Sequence, residues 1–67
     1  SQIALSDLVN TKVRISSFLS LSLEQQHLCV MTILQHRDWS DVVKSLKYSG
    51  KTQIITDLRE LIAILKP

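Results

Sequence analysis

The sequence predicts an all-α protein, a compact bundle of four short helices in a single domain that covers residues 1–67. Its composition is 45% hydrophobic and 21% charged, which is too apolar for a disordered chain. One glycine and one proline leave little material for the turns of β-hairpins, and apolar residues recur at three- and four-residue spacings in four stretches. A chain this short buries a modest fraction of its surface, so we expect a marginal fold unless a partner adds burial.

The first predicted helix covers residues 3–19, where Leu8, Ile15 and Leu19 follow a helical period. Residues 11–16 also alternate polar and apolar side chains, as a strand would. No other segment alternates, so a strand here would have no partner strand. The helix is therefore favoured.

A second helix is predicted over residues 23–36. Ser22 and Gln25 match a capping box, in which each side chain satisfies a backbone amide that the helix leaves unpaired at its start. Apolar residues cover most of the circumference, which is typical of the central, buried helix of a bundle. One predicted apolar face consists of Leu23, Val30, Ile33 and Leu34. The positions expected to stay in water are Glu24, Gln25, Thr32 and Gln35.

The third and fourth helices are predicted over residues 39–48 and 52–65, with Gly50 in the turn between them. Asp38 is placed to cap the third helix, and Trp39 begins its apolar stripe. The fourth helix has the strongest periodicity in the chain. Its apolar seam consists of Ile54, Ile55, Leu58, Leu61, Ile62 and Leu65. The short turn gives these two helices the order of a helix-turn-helix.

Residues able to catalyse a reaction or bind a metal form no convincing group. Residues 49–52 (SGKT) match the end of a phosphate-binding loop, but the glycine required five positions before Gly50 is Ser45, inside a predicted helix. Residues 36–38 (HRD) copy a kinase triplet in a chain too short for a kinase. Cys29 and the two histidines lack a third orienting group, so a buried structural cysteine is the simpler interpretation. We expect no enzyme activity, cofactor, metal ion or small-molecule substrate.

The single cysteine also bears on location. Cys29 has no partner for an internal disulfide, which suits the reducing interior of a cell, nucleus or cytoplasm. No apolar run approaches the roughly 18 residues of a membrane span, and no signal-peptide pattern is present, so we expect no membrane association. The sequence does not begin with methionine, and we expect it to be part of a longer protein.

Aromatic and basic residues of the third helix and the following turn carry the functional prediction. Lys44, Lys47 and Lys51 recur at i, i+3 and i+7 and so form a basic stripe. This stripe is either an ordinary solvated face or a surface that contacts phosphate or an acidic partner. Trp39 either anchors the core or is an exposed hot spot. The favoured function is a non-catalytic interaction module that binds a protein partner or a second copy of itself. The predicted partner-binding residues are Trp39, Lys44, Lys47, Tyr48 and Lys51.

The alternative function is a DNA-binding helix-turn-helix domain of a transcriptional regulator, with the fourth helix in the major groove. The predicted DNA contacts are Lys51, Thr52, Gln53, Thr56 and Arg59. A net charge of only +2 weighs against this alternative, as do Asp57 and Glu60, which would face phosphates.

Residues 39–61, WSDVVKSLKYSGKTQIITDLREL, resemble the second half of the N-terminal helical domain of transcription elongation factors and the related integrase-binding domains. The resemblance consists of a helix, the turn at Ser49 and Gly50, and a helix that carries the pair Leu58 and Arg59. Those domains are adaptors that bind short peptide segments of other nuclear proteins. The resemblance implies the same role here.

Residues 19–41, LSLSLEQQHLCVMTILQHRDWSD, are similar to the C-terminal helical domain shared by the outer coat of secretory vesicles and the steroid-receptor RNA activator. The residues that carry this likeness are Leu19, Ser20, Leu23, Val30, Leu34, Arg37 and Trp39. It too implies a helical interaction module.

Overall fold

The computed structural model describes residues 5–66, with side chains from residue 8 onward. Within that range the chain forms a small all-α bundle without strands, as the sequence predicts. Its helices are α1 (Leu5–Leu19), α2 (Leu23–Ile33), α3 (Trp39–Tyr48) and α4 (Ile55–Leu65). A 3₁₀ turn, Thr52–Ile54, leads directly into α4, so the predicted fourth helix begins as 3₁₀ rather than α. The predicted start of the first helix at Ile3 lies outside the described residues.

The core lies where α2, α3 and α4 converge. Leu46 of α3 and Leu58 of α4 are both 0% exposed. α4 packs against α1 and α2, and α2 also packs against α3. α2 and α4 therefore share the central position in the bundle, which the sequence predicts for the second helix alone. The buried hydrophobic cluster consists of Leu21, Cys29, Val42, Leu46, Leu58 and Ile62.

The start of α2 confirms the predicted capping box. Ser22 Oγ accepts a hydrogen bond from the Gln25 amide at 3.1 Å, and Gln25 Oε1 accepts one from the Ser22 amide at 3.3 Å. Two amides that the first turn would leave unpaired are thereby satisfied.

The end of α2 comes earlier than predicted. The helix stops at Ile33, three residues before His36. Gln35 has a left-handed φ of +67°, which ends the helix. The His36 amide then donates to the Met31 carbonyl at 2.9 Å and the Gln35 amide to the Thr32 carbonyl at 3.1 Å, the two bonds of a Schellman motif. Residues other than glycine rarely adopt this conformation, so nothing in the sequence marks Gln35 as the point where the helix ends.

The buried face of α2 also differs from the predicted one. Gln25 and Thr32, expected to stay in water, are buried. Thr32 is accommodated because its hydroxyl donates to the Leu28 carbonyl at 2.9 Å, which leaves no unpaired polar group in the interior. The exposed members of the predicted apolar face are Leu23, Val30 and Leu34.

Gln25 is buried because it joins α2 to the end of α3. Its Nε2 donates to Ser49 Oγ at 2.9 Å and to Ser45 Oγ at 3.3 Å, and its Oε1 accepts from the Lys51 ammonium at 3.1 Å. We call these residues the Gln25 network. Every polar atom of the Gln25 side chain thus has a protein partner, and no buried polar side-chain atom among the described residues lacks one. The network holds the start of α2 against the turn between α3 and α4.

The turn after α3 forms at Gly50, as predicted. Gly50 has a φ of +73°. The Lys51 amide donates to the Leu46 carbonyl at 2.8 Å and the Gly50 amide to the Lys47 carbonyl at 3.2 Å, so α3 ends in a second Schellman motif.

The two left-handed positions, one after α2 and one after α3, offer a matched pair of substitutions. Gln35→Gly is expected to raise the free energy of unfolding by about 1 kcal/mol, because glycine adopts this conformation without a Cβ clash. Gly50→Ala is expected to lower it by about the same amount. No atom lies within 4 Å of the added Cβ, so the cost is backbone strain alone. Urea unfolding measures both, and effects of the same sign would contradict this assignment.

α1 runs antiparallel along α4. Arg14 forms a salt bridge with Glu60 at 2.7 Å, and Ser17 Oγ donates to Asp57 Oδ2 at 2.9 Å. The two pairs are three residues apart on both helices and therefore define one register. By that register the last residue of α4 lies opposite Val9. The first turn of α1 extends past the end of α4.

Candidate partner-binding surfaces

A groove with apolar walls opens to solvent where α1, α2 and α4 meet. Its volume is about 240 Å³, and its lining contains no charged side chain and a single hydroxyl group, that of Thr11. We call this surface the apolar groove. Its solvent-exposed lining residues are Ile15, Val30, Ile64 and Leu65. Three helices thus contribute apolar side chains that the fold leaves uncovered.

The way α1 packs explains why the groove stays open. α1 packs mainly on α4. Phe18, near its end, is half-buried against the core, whereas Ile15 one turn earlier is exposed. Within residues 5–66, the apolar side of α2 that bears Val30 is therefore left without a covering helix, and Val30 is 42% exposed.

Trp39 lies at the boundary between the core and the surface. It is half-buried and packs against the buried hydrophobic cluster. It also lines an open cleft of about 260 Å³ formed by residues of α2, α3 and α4 together with Lys66. Arg59 and Lys66 give this Trp39 cleft a basic edge. The structure therefore brings Arg59, predicted to contact DNA, together with Trp39, predicted to contact a protein.

Two of the three lysines in the predicted basic stripe, Lys44, Lys47 and Lys51, are exposed to solvent. Lys44 and Lys47 are exposed on α3, and Tyr48 is 96% exposed. Lys51 is half-buried, and its ammonium group is hydrogen-bonded to Gln25. Among the described side chains, Lys51 thus has a hydrogen bond that Lys44 and Lys47 lack. None of these four residues lines the apolar groove or the Trp39 cleft.

The residues of the DNA-binding alternative lie on the 3₁₀ turn and on α4. The exposed members are Thr52, Gln53, Thr56 and Arg59. Asp57 and Glu60, expected to oppose phosphates, instead contact α1 through Ser17 and Arg14. These contacts of Asp57 and Glu60 remove one objection to the DNA-binding alternative. The hydrogen bond between Lys51 and Gln25 weighs against it, because it occupies one of the cations predicted to contact DNA.

Cys29 lies at the inner wall of the apolar groove and is 0% exposed. Burial raises the pKa of its thiol to about 11. His27 and His36 are both exposed. The arrangement is that of a structural cysteine, since the thiolate needed for reactivity is disfavoured.

Alkylation of Cys29 is expected to require unfolding of the chain, so iodoacetamide should label the folded protein far more slowly than the protein in urea.

The burial of Cys29 also predicts that the stability of the fold depends on pH. The unfolded thiol ionises near its ordinary pKa of 9.0, whereas the folded thiol stays protonated to about 11. The stability that this group contributes is therefore constant below pH 9 and is lost as the pH rises from 9 to 11. Urea unfolding across that range, with Cys29→Ala as the control, measures the loss, and identical slopes for the two proteins would contradict it.

None of the groove residues is among the five predicted partner-binding residues. Val30 is predicted as core, and Ile64 is assigned to no surface. The composition offers no signal that points to them, because 45% hydrophobic residues is ordinary for a globular domain.

No group of three or more metal-ligating side chains occurs among the described residues. Within the same part of the chain, no helix is long and apolar enough to cross a membrane. Comparison with family models, curated proteins and solved structures yields no match. The two resemblances seen in the sequence therefore remain expectations, and a functional proposal has to rest on the surfaces described above.

Proposed function

We propose that this protein is a non-catalytic interaction module whose apolar groove receives the apolar face of a helix from a protein partner. The apolar groove itself carries the proposal, because three helices line it without a single charged side chain. Concave surfaces lined mostly by apolar side chains are the default candidates for binding sites in soluble proteins. Amphipathic helices commonly dock in grooves of this kind.

The chemistry of the apolar groove predicts how such binding behaves. Covering exposed apolar surface stabilises a complex by about 25 cal/mol per Å². No charged group in the lining has to be desolvated, so this contribution is not offset by a charge penalty. Binding should therefore be nearly independent of salt and should show a negative heat-capacity change.

The Trp39 cleft supplies a second contact for the same partner. Ile62 lines both the apolar groove and the Trp39 cleft, so the two surfaces adjoin along α4. A partner that fills the apolar groove can extend to Trp39 and set an acidic group beside Arg59. A reducing location, nucleus or cytoplasm, suits the free thiol of Cys29.

Calorimetric titration tests the proposal with two probes, a synthetic amphipathic helix that carries a leucine stripe and a random-sequence DNA duplex. The peptide is expected to bind with little dependence on salt, and Val30→Glu in the apolar groove is expected to abolish binding. Leu23→Glu is the matched control, since Leu23 is 83% exposed and does not line the apolar groove. Duplex binding that weakens steeply with salt and on Arg59→Gln, with no peptide binding, would favour the DNA-binding alternative.

A further inference from the structure

We infer that the Trp39 cleft binds a short acidic segment of the partner protein, in which two carboxylates lie about 10 Å apart with apolar side chains between them. The inference rests on the proposed function and deepens it, because it names the chemistry of the partner at the second contact. Two features of the cleft carry it: the charges at its edge and the apolar side chains of its floor.

The two cations at the edge of the Trp39 cleft face no carboxylate among the described residues. Arg59 and Lys66 are exposed and line the cleft, and no described acidic side chain lines it with them. Both carboxylates of α4, those of Asp57 and Glu60, instead contact α1. The other two arginines of the chain each have a carboxylate within 4.0 Å, whereas Arg59 has none among the described side chains. The edge of the cleft is therefore positive and attracts an anion.

The floor of the Trp39 cleft decides what kind of anion fits. Ile62 and Ala63 lie on the same face of α4 as the two cations and between them, and Trp39 adds apolar surface from α3. Thr32 also lines the cleft, and its hydroxyl donates to the Leu28 carbonyl. An apolar side chain of the partner can therefore cover this floor without leaving that hydroxyl unpaired.

The spacing of the two cations sets the length of the segment. Arg59 and Lys66 are seven residues apart, which is about 10 Å along a helix axis. An extended peptide rises about 3.3 Å per residue, so carboxylates three residues apart match this distance. The volume of the cleft is about 260 Å³, less than the roughly 300 Å³ at which sites for drug-sized ligands begin. It therefore holds one or two side chains, and the segment that fits has the order acidic, apolar, apolar, acidic.

A nucleic acid strand is also anionic, but it fits the Trp39 cleft less well than a peptide does. Single strands are bound by a track of cations and by aromatic rings on which successive bases stack. Among the described residues the cleft has two cations and one aromatic side chain, which is half-buried against the core. The exposed lysines of α3 lie outside it. The observations therefore favour a peptide segment.

The fluorescence of Trp39 tests the inference, because Trp39 is the only tryptophan of the chain and lies in the cleft itself. The probe is a short peptide with the central sequence Glu-Leu-Leu-Glu and no aromatic residue. It is expected to shift the emission of Trp39 and to bind about tenfold more tightly at low salt than a matched Gln-Leu-Leu-Gln peptide, because each exposed ion pair contributes up to about fivefold. In about 0.5 M salt the preference should fall below about twofold.

Substitutions in the protein locate the effect. Arg59→Gln and Lys66→Gln should each reduce the preference for the acidic peptide to about threefold, and the double variant should abolish it. Lys47→Gln is the matched control, since it removes an exposed cation of α3 outside the Trp39 cleft and should leave the preference unchanged. All three side chains are exposed, and circular dichroism checks that each variant is folded.

Equal affinity for the two peptides would overturn the inference. So would an oligothymidine strand that shifts the emission of Trp39 in an Arg59-dependent manner while the acidic peptide does not. Calorimetry with the leucine-stripe peptide judges the proposed function separately, because that peptide needs no carboxylate. If the leucine-stripe peptide binds and the acidic peptide does not, the inference fails alone. If the acidic peptide binds and the leucine-stripe peptide does not, the role of the apolar groove fails alone, and if neither binds, both fail.

Discussion

Leu58→Ala is expected to lower the free energy of unfolding by about 3 to 4 kcal/mol, because Leu58 is completely buried and the substitution leaves a cavity between α4 and the other helices. A domain of this length has a total stability of roughly 3 to 10 kcal/mol, so the substitution removes about a third of it or more. Urea and thermal unfolding followed by circular dichroism measure the effect. Protein concentration has to be held fixed, since self-association would stabilise the fold.

The matched control for this prediction is Leu23→Ala. Both substitutions remove the same atoms from a helix, but Leu23 is 83% exposed and Leu58 is 0% exposed. The control should change the free energy of unfolding by less than about 0.5 kcal/mol. Equal effects at the two positions would mean that the core does not lie where α2, α3 and α4 converge.

Gln25→Ala is expected to lower the free energy of unfolding by about 2 to 3 kcal/mol. One part is the loss of the hydrogen bond that Gln25 Oε1 accepts from the Ser22 amide, the glutamine half of the capping box, worth about 1 kcal/mol. The other is the loss of the hydrogen bonds that Gln25 donates to Ser45 and Ser49, which costs about 1 to 2 kcal/mol where the remaining partners are partly buried. Lys51 also loses its partner, although its ammonium group can turn to water.

Two control variants separate the parts of the Gln25→Ala effect. Ser22→Ala removes the serine half of the capping box and leaves the Gln25 network in place, so it should cost about 1 kcal/mol. Gln53→Ala removes an exposed glutamine and should be nearly neutral. If Gln25→Ala costs no more than Ser22→Ala, the Gln25 network contributes nothing to the stability of the fold.

Much of the fold could be predicted because local signals decide it. The capping box at Ser22 and the glycine at position 50 act within a few residues of themselves, and the structure confirms both. The early end of α2 could not be predicted, because Gln35 adopts a left-handed conformation that the sequence does not mark.

The burial of polar residues could not be predicted from the sequence for a different reason. Gln25 is 7% exposed, and the partners that satisfy its side chain, Ser45, Ser49 and Lys51, lie 20 or more positions away in the chain. A helical period identifies a face but not which neighbour satisfies a polar group on it. The same long-range contact explains why Lys51, predicted as part of a free basic stripe, is tied to α2.

The apolar groove depends on packing that no local pattern reports. Val30 belongs to a helix that is apolar over most of its circumference, so periodicity alone could not decide which side α1 would leave open. The position of Trp39 could not be predicted for the same reason. Trp39 is half-buried because it packs against the core and also lines a cleft that residues of α4 help to form.

Methyl NMR of the labelled chain, at a concentration low enough to keep it monomeric and with the leucine-stripe peptide added, tests the central claim most directly. Shift changes are expected to be largest at the methyl groups of Val30, Ile33 and Ile64, which line the apolar groove, and negligible at Leu23. Shifts spread evenly over the molecule, or confined to the region of Thr52 and Thr56, would contradict the claim that the apolar groove is where this protein binds its partner.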